Sequence, residues 1–485
     1  MLKSRRAGLL AAICSAGLMA GLAGPVSAET LADAIGLAYQ TNPTLREQRA
    51  NLRALDETVV QALSGYRPEV GLSASVAKSS TEYGGLSFSA GEASSASASI
   101  TVSQPLYTGG RVRAQISAAQ ADIEAGRQTL RTVEAGILTQ VVQAYVDVRR
   151  DIEAQRIADE NVSVLQRQLD EARARFEVGE ITRTDVAQAE ARFAAARASQ
   201  ANARAQLAIS RSNYKAVVGQ APGELEPEPS LAGLLPETIE TAFDMADQNN
   251  PALLSADFSE QASRARVAQA KSANRPNVTL SSSLGASGSA TRDNSPFEDY
   301  NKAVSGQLSI TMPIFYGGQI SSSIRQAQQQ NKADVAAIEG ARRNAQQDVA
   351  QSWNQLQGAR AGLTANEEQV RAARIAFEGV RQEAQVGLRT TLDVLNAQQE
   401  LRSAELSLIN ARRDEYLASA LVLSAVGRLE ARYLTPGQPL YDPGPRKKNR
   451  AYGRVLWEPA IAAIDRIAAP AVGPSPEEAV RTSPR

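Results

Sequence analysis

The side chains with the clearest chemical pattern are two Thr-x-x-Asp pairs, Thr182 with Asp185 and Thr390 with Asp393. Paired carboxylates on a rigid cleft can hydrolyse envelope polymers. The same spacing is that of a helix capping box, in which Thr accepts a hydrogen bond from the third helical amide and Asp bonds back to the cap amide. The cap accounts for both pairs, so a carboxylate enzyme is a remote alternative and we expect no catalytic residues.

Composition excludes most other chemistry. The chain of 485 residues has no His and a single Cys, Cys14, which lies near the N-terminus. Ser-His-Asp triads and most transition-metal sites are therefore excluded, and we expect neither a metal nor a cofactor. The chain carries 52 basic and 52 acidic residues, a balance that gives no indication of a nucleic-acid partner.

The N-terminus has the pattern of a secretory signal peptide. A basic start at residues 3–6 precedes the apolar stretch Ala7–Ala23, and small residues follow to Ala28. We expect residues 1–28 to be removed by cleavage after Ala28. The residues before Cys14 match a lipoprotein cleavage box poorly, so we expect no lipid anchor. The mature chain lacks the ~18 consecutive apolar residues of a helical span, which leaves a β-barrel as the expected route into a membrane.

An internal repeat organises the chain at a constant offset of 208 residues. Asn42-Pro43 recurs as Asn250-Pro251, and Val178-Gly179 recurs as Val386-Gly387. One register held across such landmarks indicates a tandem duplication. We expect a first repeat at 29–219, a Pro-containing linker at 220–236, a second repeat at 237–434 and a poorly ordered, Pro-rich tail at 435–485. The tail carries a basic run, and the spacing of Val455, Ile461, Ile464 and Ile467 indicates that residues 455–469 could form a short helix.

Each repeat changes its hydrophobic period twice. An initial helical stretch, 30–64 in the first repeat, gives way to runs of alternating apolar and small polar residues, which predict strands. Helical periodicity then returns without Pro, and a helix from Arg111 to about Val178 would be roughly 100 Å long. Tight turns at Gly179 and Gly387 should each lead into another helix. The expected strands are 66–78, 96–107, 275–287 and 302–315, joined by loops at 79–94 and 288–301.

Four strands cannot close a barrel by themselves, since small closed barrels have about eight. Open strand edges are prohibitive in lipid, so the strands must join those of other copies. Two copies would supply eight strands and three would supply twelve, and the pattern leaves both open. The small polar residues on one face of the strands favour a water-filled lumen over a packed core.

Several motifs together resemble the TolC family. They are the Arg67-Pro68 and Arg275-Pro276 strand entries, the Pro105–Gly110 and Pro313–Gly318 strand exits, and the Val-Gly-x-x-Thr-x-x-Asp-Val turns. The resemblance extends from Leu31 to Leu434 and implies a fold that is mainly α with a membrane β-barrel portion. It implies a homotrimer in the outer membrane of a Gram-negative bacterium, in contact with outer-membrane lipid. The trimer would combine a twelve-strand barrel with a twelve-helix periplasmic barrel.

The resemblance also assigns roles to the turn residues. Asp393 and Asn396 match the pore constriction, where three carboxylates would favour cations and raise one another's pKa. Asp185 and Arg389 match a salt-bridged gate latch. This chain has Ala384 at the family's latch tyrosine position and Asn396 at its second acidic position, so we expect a weaker latch and a softer cation preference. Docking of the adaptor is expected at two turns, made of Val178, Gly179 and Glu180 and of Val386, Gly387 and Leu388.

The expected function is an export duct that passively receives substrate from a periplasmic membrane-fusion adaptor and an inner-membrane transporter. The poor lipoprotein box favours type I protein secretion, which would make the transporter an ABC type. Small-molecule efflux through the same fold is the alternative. A periplasmic coiled-coil structural protein is a remote alternative, because it leaves the alternating strands without a purpose.

Overall fold

The computed structural model describes residues 28–81, 91–291, 295–435, 441 and 456–467. The predicted signal peptide, apart from Ala28, lies outside the described residues. In chain order the first repeat contains α1 (Leu31–Thr41), α2 (Pro43–Ser64), β1 (Glu69–Thr81), β2 (Gly91–Tyr107), α3 (Arg111–Glu177) and α4 (Arg183–Val218).

The second repeat has the same element order. After a short 3-10 turn at Ala232–Leu234 come α5 (Ile239–Asn249), α6 (Pro251–Ser272), β3 (Asn277–Thr291), β4 (Tyr300–Thr311), α7 (Gln319–Gln385) and α8 (Thr391–Ala425). Two short helices follow, α9 (Ala431–Leu434) and α10 (Glu458–Ile467). Helices α3 and α7 have 67 residues each and α2 and α6 have 22 each, so the two repeats have matching dimensions.

The four strands form one antiparallel sheet in the order β1-β2-β3-β4. Its register places Leu72 opposite Ile100, and Ile100 opposite Leu284, on one apolar face. The other face is small and polar, and its opposed serines hydrogen-bond in pairs, as Ser73 does with Ser99 at 2.8 Å. The alternation in the sequence therefore separates an apolar face from a polar face.

The largest buried cluster lies beside the middle of α3, far from the sheet. Tyr145 of α3 is completely buried, and its hydroxyl lies 2.6 Å from the carbonyl oxygen of Glu226 and 3.0 Å from that of Glu29. Side chains from α1, α4 and α8 pack around it, among them Ile35, Tyr214 and Leu423. This cluster joins the start of the chain and the inter-repeat segment to the long helices.

The element bounds differ from the sequence expectations at several ends. The helix expected at 30–64 is interrupted at Asn42, which caps α2 through its side chain because Pro43 begins that helix. All four strands extend further into the expected loops, and β4 ends at Thr311 rather than 315. Pro313 has no amide hydrogen for a strand ladder, which accounts for that early end.

Within the tail expected at 435–485, residues 458–467 form α10, inside the range 455–469 where a short helix was expected, and this helix packs against β2 and α3. Ile461 is buried there beside Tyr66 and Val112. Within the described part of the chain, no helix combines the length and apolar character that crossing a membrane requires.

Candidate functional site

Two turns close the end of the long helices that is remote from the sheet, one between α3 and α4 and one between α7 and α8. Gly179 and Gly387 occupy the left-handed region there, with φ of 81° and 84°. In the first turn the amide of Glu180 donates to the carbonyl of Arg175 at 2.9 Å, and the second turn repeats this bond at the same length. This Schellman arrangement confirms that each glycine ends a helix.

Helices α4 and α8 begin with the capping boxes that the Thr-x-x-Asp spacing predicts. In α8 the amide of Asp393 donates to Thr390 Oγ1 at 3.2 Å, and Asp393 Oδ2 accepts from the Thr390 amide at 3.0 Å. In α4 Thr182 and Asp185 make the same two bonds at 3.3 and 2.9 Å. The caps are confirmed, and they fix both carboxylates at helix starts.

These bonds also set the charge of the two carboxylates. The backbone amide and then the hydroxyl of Thr390 hold the pKa of Asp393 below its usual value, and Thr182 does the same for Asp185. Hydrogen bonds to the ionised form favour that form, so each carboxylate is an anion at neutral pH. A raised pKa from three converging carboxylates would require further copies of the chain and stays a prediction.

Arg389 has a different partner within one chain from the one that the family resemblance implies. Its Nε lies 2.8 Å from Glu383 Oε2, and this carboxylate raises the pKa of Arg389. The predicted latch partner, Asp185, is instead bonded to its cap threonine. The Asp185–Arg389 pair is absent from the contacts of the described residues in one chain and stays a prediction for the assembled protein.

Asn396 lies one turn beyond Asp393 on α8 and contacts the other helical pair. Arg192 Nη2 of α4 donates to Asn396 Oδ1 at 3.2 Å. The sequence reasoning missed Arg192, because the two residues are 204 positions apart and no local spacing marks them. It also missed Glu383, although an acid six residues before Arg389 and across the glycine turn is a usable signal.

The predicted docking turns expose apolar side chains. Val178 and Val386 are each 72% exposed, and Leu388 is 76% exposed. Glu180 is held by an ion pair with Arg175 at 3.0 Å. Exposed valine and leucine at the end of a helical layer give a protein partner apolar area to cover.

Comparison with known proteins identifies the family. The family model described as outer membrane efflux protein matches residues 34–220 and 242–428. The chain belongs to that family. The two matched stretches begin at 34 and 242, which is the 208-residue offset of the internal repeat. The resemblance to TolC-type proteins inferred from the motifs is confirmed.

Relatives in this efflux family cover most of the chain. Outer membrane efflux protein BepC of Brucella suis biovar 1 (strain 1330) is 34% identical over 403 residues, which is 83% of this chain and 86% of BepC. Outer membrane protein TolC of Escherichia coli (strain K12) is 28% identical over 432 residues, 85% of each chain. The crystal structure of outer membrane protein VceC from Vibrio cholerae matches with a TM-score of 0.67 at 22% identity, covering 82% of this chain and 96% of VceC.

Fold and family together settle the broad class of the protein. The predicted fold class, mainly α with a four-stranded β portion built from two tandem repeats, is confirmed by the structure and its structural neighbour. Members of the outer membrane efflux family are channel proteins of the outer membrane and are not enzymes. The caps and turns at the helical end therefore belong to a channel protein rather than to a catalytic centre.

Proposed function

We propose that the chain is the protomer of a homotrimeric export duct in the outer membrane of a Gram-negative bacterium. In this proposal the two repeats, 29–219 and 237–434, form two quasi-equivalent segments of the wall of the duct. They are joined by the linker 220–236, and residues 1–28 have been removed. The duct receives substrate from a periplasmic adaptor and an inner-membrane transporter. We propose that transport through the duct is passive, because the residues at the helical turns serve as helix caps and turn formers rather than as catalytic groups.

The main support for this proposal is a contact between the repeats that the first repeat makes and the second repeat lacks. Helix α3 packs extensively against α2 of its own repeat and against α6 of the other repeat. Helix α7, its equivalent, packs against α6, but the α3–α6 contact has no counterpart of similar extent between α7 and α2 among the described residues. The α2 of another copy would fill the position beside α7, and repetition of that step closes a ring.

The sheet shows the same asymmetry between the repeats. Strands β2 and β3 pair across the repeat boundary, whereas β1 and β4 are the two edges of the sheet. The apolar face carries exposed Leu72, Val304 and Leu308, which suit lipid. An open edge is not tolerated in hydrocarbon, so β4 of one copy must pair with β1 of the next.

Copy number follows from the interior. Two copies give eight strands, and eight-stranded barrels are just wide enough for side chains to fill the interior. Three copies give twelve strands from the four in each chain, with the serine-rich polar face lining a lumen. The helices α3, α4, α7 and α8 of three copies continue that tube to the glycine turns.

We place the gate at those turns. Asp393 from three copies forms an acidic constriction, and Asn396 lies one turn further along α8. The latch consists of Asp185 and Arg389, which meet when copies assemble and Arg389 exchanges its Glu383 partner. Val178, Gly179 and Glu180 with Val386, Gly387 and Leu388 form the adaptor-docking surface, supported by the exposure of the three apolar side chains.

Two cargo classes fit this duct. Type I protein secretion with an ABC transporter is favoured by the poor lipoprotein box before Cys14. Small-molecule efflux is favoured by the similarity to BepC, an outer membrane efflux protein that is 34% identical to this chain. Deletion of the gene separates them, since loss of a protein from the culture supernatant supports secretion and a gain of sensitivity to small toxic compounds supports efflux.

Native mass spectrometry of the detergent-purified protein tests the assembly. We expect a mass of three mature chains, each beginning at Glu29, and an oligomer that resists SDS until heated. A folded monomer, with circular dichroism typical of long helices, would contradict the ring. A dimer would contradict the water-filled lumen.

A further inference from the structure

Helix α10 lies where the strands of the first repeat join the long helices. Its buried Asp465 is 0% exposed, and Oδ1 accepts hydrogen bonds from the amides of Thr108 at 2.8 Å and Gly110 at 3.1 Å. The hydroxyl of Tyr66 donates to Asp465 Oδ2 at 3.1 Å. A carboxylate with this many donors is a strong attachment, because charge-assisted hydrogen bonds are about twice as strong as neutral ones.

Further contacts fix the orientation of the helix. Glu458 forms an ion pair with Arg67 at 3.2 Å, near the start of α10. Ile461 is buried one turn before Asp465. Trp457 Nε1 donates to Gln104 Oε1 at 3.0 Å. Anchors at 457, 458, 461 and 465 follow helical spacing, so one side of α10 is committed to the protein.

These contacts identify the face of the sheet on which α10 lies. Side chains alternate between faces along a strand, so Gln104 shares a face with Ile100 and Val102. That is the apolar face, on which Ile100 opposes Leu72 and Leu284. Helix α10 therefore packs on the apolar outer side of the sheet, at the end of β2 that leads into α3.

The remaining side of α10 carries exposed apolar side chains. Ile464 is about half exposed, and so is Trp457, while Leu456 is 96% exposed; Leu456 and Trp457 directly precede the first residue of the helix, Glu458. Arg466 is exposed at the same end as Ile464. The exposed side of the helix and the two residues before it therefore offer apolar area that the described part of the chain does not cover.

The second repeat provides an internal comparison. Its equivalent of the Thr108–Gly110 turn is Tyr316–Gly318, which is exposed and has no helix packed on it within the described residues. The turn geometry is the same, since Gly110 and Gly318 both have φ of 85°. The turn therefore forms without such a helix, and α10 adds something other than turn formation.

We propose that α10 is an interfacial helix that rests on the periplasmic headgroup layer of the outer membrane, with Leu456, Trp457 and Ile464 in contact with phospholipid. The inference rests on the proposed function, which puts the apolar sheet face in lipid. The exposed side of α10 is continuous with that apolar face, and amphipathic helices bind lipid surfaces in this way. Tryptophan is favoured at this depth.

Charge selects an anionic phospholipid surface. Between 436 and 455 the sequence has five basic residues, Arg446, Lys447, Lys448, Arg450 and Arg454, and one acidic residue, Asp442. Basic segments beside a membrane are attracted to anionic headgroups. The occupant of the exposed side is therefore a phospholipid surface that includes phosphatidylglycerol.

Tryptophan fluorescence can test this contact directly, because the chain has two Trp residues. Trp353→Phe leaves Trp457 as the reporter, and Trp457→Phe leaves Trp353, which lies on α7 away from the sheet. A double Phe variant carrying Val304→Trp reports on the apolar sheet face. The full-length oligomers are reconstituted in phosphatidylethanolamine–phosphatidylglycerol vesicles, with and without bromine near the headgroup end of the acyl chains.

We expect brominated lipid to quench Trp457 and the Val304→Trp reporter, and to leave Trp353 unchanged. Quenching of the Val304→Trp reporter without quenching of Trp457 would overturn the inference and leave the duct intact. Absence of quenching at both Trp457 and the Val304→Trp reporter would overturn the duct and the inference together. Asp465→Ala should detach α10, which reduces the quenching of Trp457. If Asp465→Ala fails to fold, Leu456→Ser with Ile464→Ser keeps the anchors and should also reduce the quenching, and unchanged quenching in that variant would contradict lipid contact.

Discussion

Asp393 and Asp33 have the same local structure and different proposed roles. Both are the third residue of a helix and complete a capping box, Asp393 with Thr390 and Asp33 with Thr30. Asp393→Asn and Asp33→Asn should therefore change the melting temperature by similar amounts. In the proposed gate only Asp393→Asn should reduce the cation-to-anion permeability ratio in planar bilayers. Equal ratios in the two variants would show that Asp393 is a cap and nothing more.

Asn396 gives a second prediction at the scale of single residues. Asn396→Asp would place a carboxylate where Arg192 Nη2 already lies 3.2 Å from Oδ1, so an ion pair should neutralise it. We expect Asn396→Asp alone to leave cation selectivity nearly unchanged. The double variant Asn396→Asp with Arg192→Gln should raise it. Arg192→Gln alone is the matched control, and a large gain from Asn396→Asp by itself would contradict this electrostatic account.

Contacts between residues close in sequence could be predicted, whereas contacts between distant parts of the chain could not. The capping boxes and glycine turns were predictable because Thr390 and Asp393, or Gly387 and its neighbours, contact one another within a few positions of the sequence. The Arg192–Asn396 bond depends on how two helical pairs lie side by side, which no local spacing encodes. The Asp185–Arg389 latch came from family resemblance and depends on contacts beyond one chain.

At the scale of elements, the glycine turns are required by backbone conformation rather than by space. A Cβ on Gly387 would meet no atom within 4 Å, but its φ is 84°. Gly387→Ala should destabilise the turn by about 1–2 kcal/mol, the cost of a left-handed L-residue. Gly358→Ala, within α7 and equally free of contacts, should stabilise by about 0.5–1 kcal/mol. Thermal unfolding measures both, and shifts of the same sign would contradict this explanation.

Tyr145 fixes the ends of several elements to the middle of α3. Its hydroxyl lies near the carbonyls of Glu29 and Glu226, and burial raises its pKa to about 12, so it stays neutral and can donate. Tyr145→Phe should destabilise by about 0.5–1.5 kcal/mol, because the partly buried carbonyl of Glu226 loses its hydrogen-bond donor. Tyr300→Phe is the control, since Tyr300 is exposed and should change stability by less than about 0.5 kcal/mol. Equal chemical denaturation midpoints would contradict the role of Tyr145.

Element types followed from periodicity, but the ends of the elements and the packing of the tail did not. The long helix expected from Arg111 to about Val178 ends at Glu177, because Gly179 stops it locally. Strand ends were less accurate, since pairing with a neighbour can extend a strand through Gly and Ser that alone indicate a loop. The spacing of Ile461, Ile464 and Ile467 indicated a short helix within 455–469, but not where it packs, because α10 is held by Tyr66, Thr108 and Gly110, which are more than 350 residues away in sequence.

In the proposed duct, the chain supplies two equivalent units of a larger closed structure. Among the described residues, α7 lacks the contact with α2 that would correspond to the α3–α6 contact, and β1 and β4 lack a neighbour on their outer edges. Both observations indicate the same open position, once in the helical layer and once in the sheet. The 208-residue repeat predicted two equivalent units, and in the part of the chain that the structure describes their mutual contact is made once, between α3 and α6 and between β2 and β3. In the proposed ring, another copy makes the second such contact.

The proposal that the chain forms a gated duct is tested by the single-channel conductance of the purified oligomer in planar bilayers. The Arg389→Ser variant is measured beside the unmodified protein. We expect a small, cation-selective conductance that rises when Arg389→Ser weakens the latch. Arg381→Ser, which removes an ion pair with Glu378 on the same helix outside the gate, should leave the conductance unchanged. Folded, bilayer-inserted protein that conducts no ions in any of these forms would contradict the duct.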